Sequence, residues 1–199
     1  MRLSRCCNYH DFRELARRRL PGPIFNYIDG AAEDETTYRR NTEAFEECDL
    51  VPNVLTGVAT VDLSVTVMGE HLAMPFYCSP TALQRLFHHQ GERAVAAAVE
   101  KFGTMFGVSS VGTVSVEELA TKYSFPQVYQ FYFHKDRGLN KAMMERAKGA
   151  GVKIMMLTVD SSTGGNRERD LRTGFSIPLR LTLGGITQFA LKPKWQSII

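Results

Sequence analysis

Apolar residues recur at helical spacing from Tyr9 to Leu20, and Pro21-Gly22-Pro23 ends that stretch, since proline removes backbone donors and restricts the residue before it. The pattern predicts a second helix from Ile24 past Ala31 and a third from Asp34 to Phe45. Between Val51 and Leu72 β-branched residues take over, and Asp62-Leu63-Ser64-Val65-Thr66-Val67 alternates with the period of two that short strands show. Then the text becomes rhythmic. Short apolar runs at Met74 to Ser79, Met105 to Ser110, Gln127 to Phe133 and Val152 to Val159 suit buried strands. Stretches of helical period lie between them, at Gly91 to Phe102, Val116 to Lys122 and Asn140 to Ala150, as parallel βαβ units require. Beyond Asp160 the rhythm stops, and Gly164-Gly165 reads as a hinge in a flexible loop.

This order predicts an α/β fold of the (β/α)8 barrel type, cut to about its first four βα units behind an N-terminal helical cap. The expected organisation is a cap over residues 1–72, half a barrel over 73–175 and a loop segment over 176–199. A closed barrel takes about 250 residues, and the rhythmic region here supplies about half of that. Composition is ordinary for a globular chain, with 44% hydrophobic residues. The formal charge of +3 is spread along the sequence, so charge does not suggest nucleic acid, and Arg17, Arg18 and Arg19 read as the solvated face of the first helix. The 4 cysteines form no CxxC pair, which fits free thiols in a reducing compartment. No apolar run is long enough for a membrane span or a signal peptide, so the expectation is a cytoplasmic protein. His88 and His89 are adjacent and would point apart on a regular element, so no metal is expected there.

The strand ends carry the chemistry. They read Pro80-Thr81-Ala82, Ser109-Ser110, Gln130-Phe131-Tyr132 and Leu157-Thr158-Val159-Asp160, followed by Asn166-Arg167-Glu168-Arg169-Asp170. Taken singly each has a plainer reading: a βα turn, a helix N-cap, a satisfied core amide, a surface arginine. In this order, with YIDGAAEDE from Tyr27, LSVTVMG from Leu63, HQGE before the first barrel helix, SVEELA and YFHKDRG, they resemble the FMN-dependent α-hydroxy-acid dehydrogenase and oxidase family. That family includes L-lactate dehydrogenases, glycolate oxidase and mandelate dehydrogenase, and the likeness runs over about residues 9 to 180.

The resemblance implies an FMN cofactor and a small 2-hydroxy acid substrate, L-lactate first. It implies that Pro80, Thr81 and Ala82 lie beside flavin N5, that Ser109 bonds the ring, and that Gln130 and Thr158 serve its pyrimidine edge. Tyr27 and Arg167 would take the substrate carboxylate, and Tyr132 would approach the hydroxyl and stabilise developing charge. Arginine suits a carboxylate because its planar fork binds both oxygens.

The family's catalytic histidine, its lysine beside flavin N1, its second substrate arginine and its glycine-rich phosphate loops have no match here, and no histidine follows His134. Within the matched region Ser161-Ser162 stands where Thr-Pro is usual, and Phe131 where Leu is usual. The base is therefore expected from elsewhere. A half-barrel with two unpaired edges is expected to associate or aggregate. A complementary half-barrel chain, a homo-oligomer and an inactive fragment are the competing expectations. The alternation of Phe175, Ile177, Leu179, Leu181 and Leu183 leaves open both a barrel-covering loop and peripheral membrane contact.

Overall fold

The computed structural model describes residues 2–160, 163–175 and 183–196. The chain divides into two compact units, one made of Met1–Gly57 with Thr163–Ile199 and the other of Val58–Ser162. The alternating stretch after Phe175 and the pair Ser161-Ser162 fall outside the described residues.

In the first unit α1 (Tyr9–Arg19) starts where the Asn8 side chain accepts from the Asp11 amide, an N-cap that satisfies one of the helix's orphan donors. Arg17, Arg18 and Arg19 are exposed, and Glu14 pairs with Arg17 and Arg18 across one turn. This is the solvated face that the pattern predicts. Helix α2 (Gly22–Asp29) buries Ile24 and Phe25, with prolines at its start where a missing N–H costs nothing. Helix α3 (Thr36–Glu43) follows.

The second unit opens with a hairpin of β1 (Val65–Val67) and β2 (Glu70–Leu72), antiparallel, with Val65 opposite Leu72. The sequence reading placed this hairpin in the cap, whereas it clusters with the sheet unit. Residues 51–64 form no strand. Four parallel strands follow in the order β3 (Tyr77–Cys78), β4 (Met105–Ser109), β5 (Gln127–Tyr132) and β6 (Ile154–Thr158). Helices α4 (Glu92–Phe102), α5 (Val116–Lys122) and α6 (Arg137–Gly149) alternate with them as expected. Strand β3 is shorter than its apolar run, because Pro75 and Pro80 bracket it and cannot donate to a ladder.

Alternation along the strands sorts side chains onto two faces. On one face Phe106, Val108, Tyr129 and Phe131 pack with Ala96 and Val99 of α4, Leu119 of α5 and Ala147 of α6. On the other, Met105 and Val128 pack with Leu72 of the hairpin, flanked by Ile154 and Met156. An apolar cleft of about 380 Å³ opens on that side, lined by Val65, Tyr77 and Met105 among others. Ion pairs clasp the outer helices, Arg93 to Glu118 between α4 and α5 and Arg146 to Glu117 between α5 and α6. Among the described residues strand β6 pairs only with β5, and Met155 and Leu157 on it are 44% and 51% exposed.

The later part of the first unit contains α7 (Glu168–Thr173), past the point where the sequence rhythm stops, and α8 (Leu183–Ala190) and α9 (Pro193–Gln196), where the sequence reading expected a loop segment. Among the described residues no helix is long and apolar enough to cross a membrane.

Candidate active site

On the cleft face of the sheet the side chains change from apolar to polar toward the strands' C-terminal ends. Met105, Gly107 and Ser109 follow one another on β4, Val128 and Gln130 on β5, and Ile154, Met156 and Thr158 on β6. The three polar residues form one chain. Ser109 Oγ donates to Gln130 Oε1 at 3.2 Å, and Gln130 Nε2 donates to Thr158 Oγ1 at 2.7 Å. Register explains the meeting, since Ser109 lies opposite Gln130 across the β4–β5 ladder, and Gln130 lies opposite Met156, one same-face step before Thr158 on β6. Gln130 is buried, and a buried amide must find partners at both ends.

Ser110 adds something the sequence reading passed over. Its amide also points at Gln130 Oε1, at 3.4 Å, while its own Oγ is buried without a partner. The doubled serine was the available signal, because two adjacent hydroxyls at a strand end exceed what one helix cap needs. Tyr132, at the end of β5, is 36% exposed.

Pro80 sits against β4. A Cβ built on Gly107 would lie 2.6 Å from Pro80 Cδ and 2.9 Å from its nitrogen, so only glycine lets the turn of Pro80, Thr81 and Ala82 approach the sheet this closely. The next loop is anchored by a buried acid. Glu92, the first residue of α4, is fully buried and accepts from the Thr113 amide at 2.7 Å and the Thr113 hydroxyl at 2.6 Å. Gly91 before it has φ +50°, and a Cβ there would meet Arg85 Cγ at 2.6 Å.

A second constellation lies in the first unit. The Arg167 guanidinium lies 5.3 Å from the Tyr27 ring centroid and donates to the Tyr27 carbonyl. Tyr27 is stacked on Phe175 at 4.2 Å. Arg167 Nε also donates to Asp170 at 2.5 Å. Two positions on, Arg169 reaches Asp29 at 2.9 Å and Glu35 at 2.5 Å, and Arg13 of α1 grips the same Asp29. The sequence reading missed this network of Arg13, Asp29, Glu35 and Arg169, and the Asp170 partner of Arg167. Its signal was opposite charge in two distant motifs, acids after Tyr27 and bases around Arg167.

Burial pushes the Asp29 carboxyl up, but the hydrogen bonds and charges of Arg13 and Arg169 outweigh it and hold it below the usual carboxylate range. A carboxyl lowered on folding contributes stability that is complete above its unfolded pKa, about 4, and is lost as pH falls through the lower folded value. Acidification below about pH 4 should therefore loosen α7 from α2. Limited pepsin digestion across pH should show cleavage near residues 167–173 rising on that side, and an Asp29→Asn variant should flatten the rise.

The family profile described as FMN-dependent dehydrogenase matches residues 16–198. The chain belongs to that family. Among FMN-dependent dehydrogenase relatives it is similar to glycolate oxidase 1 of Oryza sativa subsp. indica, 38% identical over 88% of this chain and 48% of that protein. It is 40% identical to the L-lactate dehydrogenase of Allorhizobium ampelinum over 93% of this chain and 48% of that protein. A solved monotopic membrane protein, (S)-mandelate dehydrogenase, superposes with a TM-score of 0.90 at 30% identity, over 98% of this chain and 52% of that one. The chain thus spans about half the length of the curated relatives it matches. Its four parallel strands and the helices between them are those of a truncated (β/α)8-type barrel.

Proposed function

We propose that this chain supplies the flavin-ring and carboxylate contacts of an enzyme that oxidises a short 2-hydroxy acid with FMN, L-lactate being the first candidate. The observation that carries the reading is the chain of hydroxyl, amide and hydroxyl formed by Ser109, Gln130 and Thr158 at three adjacent strand tips. Such a row can both donate and accept, which suits the alternating acceptor and donor groups along a pyrimidine edge. FMN, when bound, supplies the acceptor for the two electrons leaving the substrate's α-carbon.

The remaining roles belong to this chain's own side chains. Pro80, Thr81 and Ala82 set the turn that borders the ring. Arg167 and Tyr27 hold the carboxylate, and the Tyr132 phenol donates to the substrate oxygen as charge develops there. Removal of the hydroxyl proton needs a base, and that role is not assigned among these residues. The chain's share of the reaction is therefore binding and orientation. Lactate is proposed first among the short 2-hydroxy acids, and a cytoplasmic location is proposed with it. Peripheral membrane contact is proposed on the likeness to the monotopic mandelate dehydrogenase.

A second reading is an assembly module completed by complementary strands, whether from another chain or from a further copy. It is favoured by β6, which has no second partner strand among the described residues and exposes Met155 and Leu157.

Titration of the purified chain with FMN tests the first reading. Flavin fluorescence should be quenched, and riboflavin should bind with equal affinity, because the cofactor contacts proposed here are all to the ring and none to the phosphate. Gln130→Ala should weaken binding about 10-fold, the loss expected for one net hydrogen bond in a dry site. Unchanged fluorescence with the wild-type chain, or full affinity in the variant, would remove the reading. The assembly module makes no demand on flavin, so the same titration separates the two.

A further inference from the structure

We propose that Asp170 is the positioning residue of Arg167, deciding which guanidinium donors remain for an anion. The inference rests on the carboxylate role given to Arg167 above. A guanidinium offers two bidentate edges, Nε with Nη2 on its side and Nη1 with Nη2 at its tip. The side edge is taken here, because Nε donates to Asp170 Oδ2 at 2.5 Å and Nη2 donates to the Tyr27 carbonyl. The plane of the group is held as well, over a Tyr27 ring that is itself stacked on Phe175. What remains is the tip edge, the one a carboxylate would engage with both oxygens.

Asp170 is suited to this task by its own rigidity. It is 9% exposed and sits on α7, and its backbone is fixed by bonds from its amide to the Arg167 carbonyl and from the Phe175 amide to its carbonyl. Its second oxygen, Oδ1, is buried with no partner, so Asp170 spends its paired oxygen on Arg167 alone. The neighbouring Arg169 is engaged elsewhere, with Asp29 and Glu35, and does not compete for Asp170.

An anionic neighbour of this kind could act in two ways, and they predict opposite results. A competitor for Arg167 would, when removed, let an anion bind more tightly. A positioning residue would, when removed, let the guanidinium swing and bind an anion more weakly. Calorimetric titration with oxalate, a planar dicarboxylate that resembles the head of a 2-oxo acid, should show about 10-fold weaker binding in Asp170→Ala. Asp170→Asn keeps an acceptor for Nε–H and should stay within about 3-fold of wild type. In nitrogen-resolved NMR the Arg167 Nε–H should be protected from exchange in wild type and Asp170→Asn and lose that protection in Asp170→Ala.

Tighter or equal oxalate binding in Asp170→Ala would overturn the proposal, as would an Arg167 Nε–H that stays equally protected there. Loss of the backbone amide signals of α7 in Asp170→Ala would also overturn it, by making Asp170 a support of the helix and not of the side chain. If wild type binds no oxalate, the carboxylate role of Arg167 fails, while the Nε–H signal still decides whether Asp170 positions it.

Discussion

Replacing Phe106 with alanine is expected to cost about 3–5 kcal/mol, the range for deleting a fully buried aromatic side chain. Phe106 has no exposed surface, and β4 on which it sits is the strand paired to both β3 and β5. Its ring lies 6.1 Å from that of Phe125 and packs in the cluster that holds α4 and α5 against the sheet. Domains of this kind are stable by only about 5–15 kcal/mol in total, so the loss is a large share of the whole. Hydrogen exchange of the β4 and β5 amides is the measurement. Their protection should collapse in Phe106→Ala and survive largely intact in Phe106→Leu, which keeps most of the volume. Equal protection in both variants would mean the strand is held by something other than this ring.

The second large effect falls on Glu92. Its carboxylate is buried and is consumed by the amide and hydroxyl of Thr113. Alanine there removes two charge-assisted bonds and leaves a buried N–H without a partner, at a cost of about 3 kcal/mol. The same change should disturb the segment from Ser109 to Ser115, because Thr113 Oγ1 also accepts from the Arg85 amide and so ties two loops together. Glu92→Gln can still accept from the Thr113 amide and should lose about 1 kcal/mol. Urea midpoints should therefore rank wild type, Gln, then Ala, and flavin affinity should fall in the same order. An alanine variant with an unshifted midpoint would show that water replaces the carboxylate at no cost.

Much of the architecture was legible because period and length agree in the second unit. Strands whose two faces are both used read as unbroken apolar runs, and the helices between them show the spacing of their buried stripe. Ala96 and Val99 on α4 are an example. The reading overran at Met74 to Ser79, where apolar character persists but Pro75 and Pro80 withhold hydrogen bonds. It also expected a loop where α8 and α9 form, and gave no helix for α7, since such short helices give periodicity too little length to register. The polar residues at strand tips were findable through ordered motifs, whereas Asp29, Glu35 and Asp170 were not. Asp29 and Glu35 are defined by Arg169, which the chain brings back from far along the sequence, and no local pattern records such a pairing, whereas Asp170 pairs with Arg167 three positions before it, a spacing that becomes meaningful only on the helix α7. Opposite charge in two segments says that they can meet, and only the fold says which atoms do.

Gly107 has a different kind of influence. Having no side chain, it offers nothing to a ligand, yet the ring of Pro80 rests in the space its Cβ would fill. The height of the turn above the sheet is thus set by an omission. Even a single methyl at that point would lift Pro80, Thr81 and Ala82 together, changing the shape of the rim without altering any group that could bind there. Residues with no chemistry of their own can in this way govern selectivity, by fixing how near the backbone stands to whatever it surrounds.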